Sequence, residues 1–187
     1  MTEQSQSNGS ASMEGCPTIE ERQALLNLVS SSGEKLLSAL NLHAQHPQAT
    51  SSAADAWSPA QIAEHVMLTD AALLNAAKKA LALPVREDWQ AATQGKGDLL
   101  RSVATVTTKV EASASLTPTA NLDLNATIAR YKHHLQELRE FFEGQTAPMH
   151  AHLLPHSFFG ELSAYQWGEF IGYHTLRHVG QVDKLAG

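Results

Sequence analysis

Cysteine is nearly missing from this chain: Cys16 is the only one in 187 residues. A single thiol closes no internal disulfide, and such sparing use is expected of a protein in a reducing cytoplasm. Placed where a polar tail ends, Cys16 is not expected to be oriented or activated for nucleophilic chemistry. Missing too is any uninterrupted apolar run near the roughly 20 residues needed to span a bilayer. No block of like charge marks a membrane-surface patch. Basic residues are in deficit, with 13 Lys and Arg against 19 Asp and Glu and a net charge of −6. That balance disfavours nucleic acid, whose phosphates select a basic face. Residues 1–16 lack the basic start and apolar stretch of a secretory signal and read as a disordered N-terminal tail rich in Ser, Gln and Gly. No strand-type alternation stands out, and no internal repeat is present.

What remains is helical, and 17–187 reads as one all-α domain. Hydrophobic residues make up 43% of the chain, enough at this length for a sizeable core. Four long helices are expected. The first, over 18–44, opens on a capping box of Thr18 and Glu21 and carries Ile19, Leu25, Leu26, Val29, Leu36, Leu37 and Leu40 at helical spacing. Ser30-Ser31-Ser32-Gly33 weakens it without ending it. The second has Ser58 as N-cap, Pro59 at N1 and Gln61 at N3, with Trp57 and Ile62 spaced for a hydrophobic staple, and stops before Pro84. The third spans Asn125 to Glu143 and stops at Gly144. The fourth is entered through a Ser163/Gln166 capping box. Its stripe of Trp167, Ile171, His174, His178, Val182 and Leu185 includes two histidines. Residues 45–57 and 145–162 read as polar links. The roughly forty residues from Pro84 to Leu124 are too many for a structureless loop, so a short helix is expected over 98–111 and an extended strap at Leu116-Thr117-Pro118. So long a crossover means the second and third helices need not be antiparallel neighbours.

With ten histidines, a chance His-x-x-x-His pair is unsurprising, so position has to decide. His152 and His156 flank Pro155 in a link where helical geometry is doubtful. His174 and His178 lie mid-helix on the apolar stripe, where a desolvated imidazole costs a few kcal/mol unless it is hydrogen-bonded or coordinated. Two separate polar partners would satisfy them; so would one metal ion. His65, on the apolar stripe of the second helix, supplies a third imidazole, and three protein ligands leave a coordination position open. Arg177, Gln181 and Tyr173 flank the pair and are candidates for orienting ligands or contacting substrate. Glu64 points about 100° away from His65, which argues against a role as general base. His134 is expected to be partly exposed, and His43 and His46 to sit at a helix end where cations favour the dipole.

Two segments go further. Trp57-Ser-Pro-Ala-Gln-Ile-Ala-Glu-His65, and the C-terminal run from His156-Ser-Phe-Phe-Gly160 through Trp167 to His174-Thr-Leu-Arg-His178-Val-Gly-Gln181, resemble the signature segments of the DinB-like superfamily. The likeness extends over about 18–185, including the strap from Lys109 to Pro118; Ser157 departs from it, standing where the family often has Pro. The resemblance implies a four-helix bundle of up-down-down-up course with a long crossover between helices 2 and 3. It also implies one divalent metal ion, zinc or nickel, on His65, His174 and His178. Characterised relatives use low-molecular-weight thiols as co-substrates in transfer and isomerisation, and others are described as metal-dependent hydrolases. A small-molecule substrate and a homodimer are the implied partners, the dimer supported by Phe158 and Phe159 in the last link. Three functions stay open: thiol transfer, hydrolysis, or a non-catalytic binding bundle. No Glu or Asp is evident on the inner stripes to act as a general base, which favours the thiol route.

Overall fold

The computed structural model describes residues 14–46, 56–106 and 111–185. Helix α1 runs Ile19–Gln45, α2 Pro59–Leu81, α3 Trp89–Thr93, α4 Lys96–Val103, α5 Leu124–Glu143 and α6 Ala164–Lys184. A two-stranded antiparallel ribbon, β1 (Leu153–His156) with β2 (Gly160–Ser163), precedes α6. Reciprocal capping boxes open three of the long helices: Thr18/Glu21, Ser58/Gln61 and Ser163/Gln166. Each satisfies two backbone donors that a helix start otherwise leaves unpaired. Asp123 caps α5 through the Ala126 N–H.

The four long helices bury their apolar stripes against one another, with α1 and α2 each packing on both α5 and α6. Contacts order them along their axes. Gly168 and Gly172 of α6 press on Leu25 and Leu28 of α1, and His43 bonds the carbonyl of Val182. Thus α1 and α6 meet in the same chain order. Glu64 with Arg130, Asp70 with His134 and Lys78 over Phe141 give the same order for α2 and α5. Gly33 and Arg139, reaching Leu135 and Ser30, give the reverse order for α1 and α5.

The run Ser30–Gly33 does not break α1. A Cβ on Gly33 would stand 2.4 Å from Leu135 Cδ1, so the small residue is what lets α1 approach α5. Gly172 admits α1 to α6 in the same way, a Cβ there standing 2.5 Å from Leu28 Cγ, while Gly168 makes room for both α5 and α1, a Cβ there standing 2.8 Å from Phe142 Cε1 and 3.1 Å from Leu25 Cδ1.

Several expectations need correction. The link 145–162 contains the β1–β2 ribbon, turned through Gly160 at φ +69. The crossover holds α3 as well as α4, and α4 is shorter than the expected 98–111 helix. Residues 107–110, which include the start of the strap, lie outside the described residues. The strap's next part is a single 3-10 turn, Ala114–Leu116, followed by an extended Thr117. Ile19 is exposed, although its spacing puts it on the α1 stripe. Most of the expected tail, 1–13, is outside the described residues. Gly15 is buried against Ala151, and its carbonyl accepts the His150 N–H. Among the described residues no helix is long and apolar enough to cross a membrane.

Candidate metal centre

His65 sits about two turns into α2, after the Ser58 cap, and the Trp57 ring lies 4.8 Å from its own. His174 and His178 sit one turn apart on α6. The three rings converge, with centroids 5.4 Å (His65–His174), 4.8 Å (His65–His178) and 4.5 Å (His174–His178) apart. One ligating nitrogen from each lies within 4.8 Å of the others.

Their outer nitrogens explain the aim. His65 Nδ1–H donates to the Leu116 carbonyl at 2.8 Å, and His178 Nδ1–H donates to Gln181 Oε1 at 2.8 Å. A carbonyl oxygen only accepts, so each Nδ1 carries the proton and each Nε2 presents a lone pair inward. His178 Nε2 and His174 Nε2 are 3.1 Å apart. Two nitrogens each about 2.1 Å from one ion can be no more than ~4.2 Å apart, so this pair fits a shared metal. His174 Nδ1 is buried and has no hydrogen-bond partner among the described residues.

Electrostatics keep the rings neutral, the state that ligation requires. Desolvation lowers His65 below the ordinary imidazole range, with the Arg177 charge adding to it. Burial pushes His178 down to about 3, helped by His65 and Arg177. Burial, then His178, His65 and Arg177, hold His174 well below its usual range. The fit of a divalent cation rests on three neutral imidazoles converging in a buried place, with the Nε2 lone pairs of His65 and His178 aimed inward.

The family comparison agrees: the model of the DinB superfamily matches residues 18–182. This chain belongs to the DinB superfamily. No curated protein matches it, and no solved structure does.

The other candidate residues fall in different places around this DinB-superfamily centre. Gln181 is the positioning partner of His178, and Arg177 contributes charge to all three rings. Tyr173 points elsewhere: its hydroxyl accepts from Arg101 Nε, and it lines a separate cavity to which no site histidine contributes. His152 and His156 do not pair. His152 bonds the Leu83 carbonyl, while His156 Nδ1 accepts the N–H groups of Phe158 and Phe159 at the ribbon turn. His134 is partly exposed, as expected.

Two carboxylates are buried, contrary to the reading of inner stripes without acids. Glu64 accepts from the Thr119 N–H at 2.6 Å and from Arg130 at 3.1 Å, and the Thr119 bond leads in holding its pKa low. It ties the strap that carries Leu116 to α2. Asp70 is fully buried and faces His134. Neither joins the imidazoles, so among the described residues no carboxylate belongs to the centre. The Leu116 carbonyl is the functional group that side-chain reasoning could not find, because a backbone acceptor leaves no mark in residue type. The nearest signal was the strap's own motif.

Proposed function

We propose that this DinB-superfamily protein is a cytoplasmic metal-dependent enzyme that transfers a low-molecular-weight thiol to a small electrophile. In this reading His65, His174 and His178 hold one divalent ion, zinc or nickel, in an up-down-down-up bundle, a course supported by the order of interhelical contacts. The observation that carries it is the composition of the centre: three neutral imidazoles and, among the described residues, no carboxylate. A divalent ion bound there keeps its full charge and supplies Lewis acidity, enough to bring a thiol from about 8.5 to below neutrality.

The chain's own residues do the rest. Leu116 and Gln181 fix the tautomers of His65 and His178, so no proton must leave those inward nitrogens before a cation is held. Arg177 adds positive potential where an anionic thiolate or substrate arrives. Trp57 and Phe170 set apolar surface against His65 and His174, with ring centroids 4.8 and 6.5 Å away, and restrict water on those sides. Hydrolysis is the second reading. It calls for a base to take a proton from water, and the two buried carboxylates of α2 are engaged with Thr119 and Arg130 or turned toward His134.

The test is a screen of bacterial thiols, including bacillithiol and mycothiol, against activated halides, epoxides and enones, with esters and amides alongside. Expected is metal-dependent thiol transfer, lost on chelation and in His178→Ala, with its largest advantage at low pH where thiolate in solution is scarce. Cleavage of an ester or amide without thiol turnover favours the hydrolase. No turnover at all returns the domain to a binding role. A homodimer is also proposed, on the 82% exposure of Phe158 at the ribbon tip. Sedimentation as a clean monomer at tens of micromolar contradicts it.

A further inference from the structure

On the far side of α6 from His65, a cavity of about 190 Å³ opens between α1, α4 and α6. Its walls are Leu25 and Leu28 of α1, Arg101 of α4, and Tyr165, Glu169 and Tyr173 of α6. Neither the metal centre nor the proposed reaction uses any of them. The polar groups are arranged unevenly. Tyr165 Oη–H donates to the Glu21 carbonyl, so its own oxygen remains an acceptor toward the cavity. Tyr173 Oη accepts from Arg101 Nε at 3.4 Å. Glu169 is half-buried, and among the described residues no donor hydrogen-bonds its carboxylate.

A carboxylate withdrawn from water and left without donors is what a cationic donor would satisfy. Desolvation raises Glu169 to about 7; the Arg101 charge opposes that rise and Glu21, a smaller influence, adds to it. Arg101 is the positive group at the rim, but its Nη1 is paired with Asp98 at 3.1 Å and its side chain is 67% exposed, so its field is partly matched and screened and leaves Glu169 without a bonded cation. Two leucines and two aromatic rings supply an apolar sleeve. Small-molecule sites commonly combine such a lining with a few convergent polar groups.

We propose that this cavity is a second binding site, for a small primary alkylammonium whose nitrogen pairs with Glu169 and whose short chain lies against Leu25 and Leu28. The proposal is independent of metal chemistry at the histidines.

The test is a protein-observed NMR titration of the full chain with n-butylammonium, using 1-butanol and butyrate as matched neutral and anionic probes. Expected is saturable 1:1 binding, with shifts confined to Leu25, Leu28, Tyr165 and Tyr173, and at least tenfold weaker binding of both other probes. Glu169→Gln should weaken n-butylammonium binding at least tenfold, and His178→Ala should leave it unchanged. Arg101→Gln should tighten it by two- to fivefold by removing a like charge from the rim. That increase is one a merely structural Glu169 would not predict. Absence of saturable binding, equal affinity for 1-butanol, or unchanged binding in Glu169→Gln overturns the proposal. Weaker n-butylammonium binding in Arg101→Gln overturns it too, and saturable butyrate binding that Arg101→Gln abolishes assigns the cavity to an anion instead.

Discussion

Helix α2 carries two buried polar clusters, five residues apart and unlike in kind. Toward α6, His65 meets His174 and His178, and both anchored rings have their outer nitrogen paired to an acceptor. Toward α5, Asp70 is wholly buried with neither oxygen hydrogen-bonded among the described residues; its nearest partner, His134 Nε2, stands 3.5 Å off as an ion-pair contact rather than a well-formed bond. Burial of polar groups therefore does not by itself mark a site. What distinguishes the histidine centre is a set of outer partners that aim lone pairs at a common point. At Asp70 no such set exists, and its carboxyl is pushed up to about 6 by burial.

The two clusters also act on stability in opposite directions across the same pH range. The imidazoles are depressed below the unfolded value near 6.5. Their neutral burial is fully tolerated above that value, and stability is lost as pH falls toward about 3 and the unfolded chain takes up protons. Asp70 is raised, so its contribution is present below 3.8 and is lost as pH rises through about 6.

The largest effect expected of separating the two clusters is on metal. His178→Ala should reduce affinity at least 100-fold in chelator competition, whereas His134→Ala should change it by less than twofold. An equal loss in both would erase the distinction between the clusters. Next is the carboxylate. Asp70→Asn should stabilise the metal-free protein by about 1–3 kcal/mol at pH 8 in urea denaturation, since an uncompensated buried charge is removed. The gain should disappear below pH 4, where Asp70 is already protonated. Destabilisation at pH 8 would show that Asp70 and His134 anchor α2 to α5 after all. Gln181→Leu comes third, with metal affinity about tenfold lower through loss of the His178 acceptor. Affinity unchanged in that variant would remove Gln181 from the positioning role. The last effect is a slope. His178→Leu should flatten the rise of metal-free stability between pH 4 and 6 by about 1.4 kcal/mol per pH unit. An unaltered slope would mean that His178 is not held neutral.

Much of this architecture can be read from residue type because local chemistry decides it. The pairs Thr18/Glu21, Ser58/Gln61 and Ser163/Gln166 specify helix starts through bonds within four residues, and all three form. The histidine convergence is legible because a stripe fixes a helix face and two stripes can be matched. The β1–β2 ribbon is not. Four-residue strands containing Pro155 and His156 give no alternation to detect, and the pairing rests on a turn through Gly160 and the His156 side chain. Asp70 escapes a sequence reading for a different reason. Helix α2 packs on both α5 and α6, so its buried face is wider than the single Ile62–Val66–Thr69–Leu73 stripe, and Asp70 falls within the extension. Tyr173 adjoins His174 in the chain, yet adjacent helical residues diverge by about 100°, which turns it away from the imidazoles.

The most direct measurement is metal analysis of untagged protein combined with X-ray absorption at the metal edge. One divalent ion per chain with three imidazole nitrogens in its shell, lost in a His65→Ala/His174→Ala double variant, is the predicted result. Full occupancy in that double variant, with an unchanged spectrum, would contradict the account.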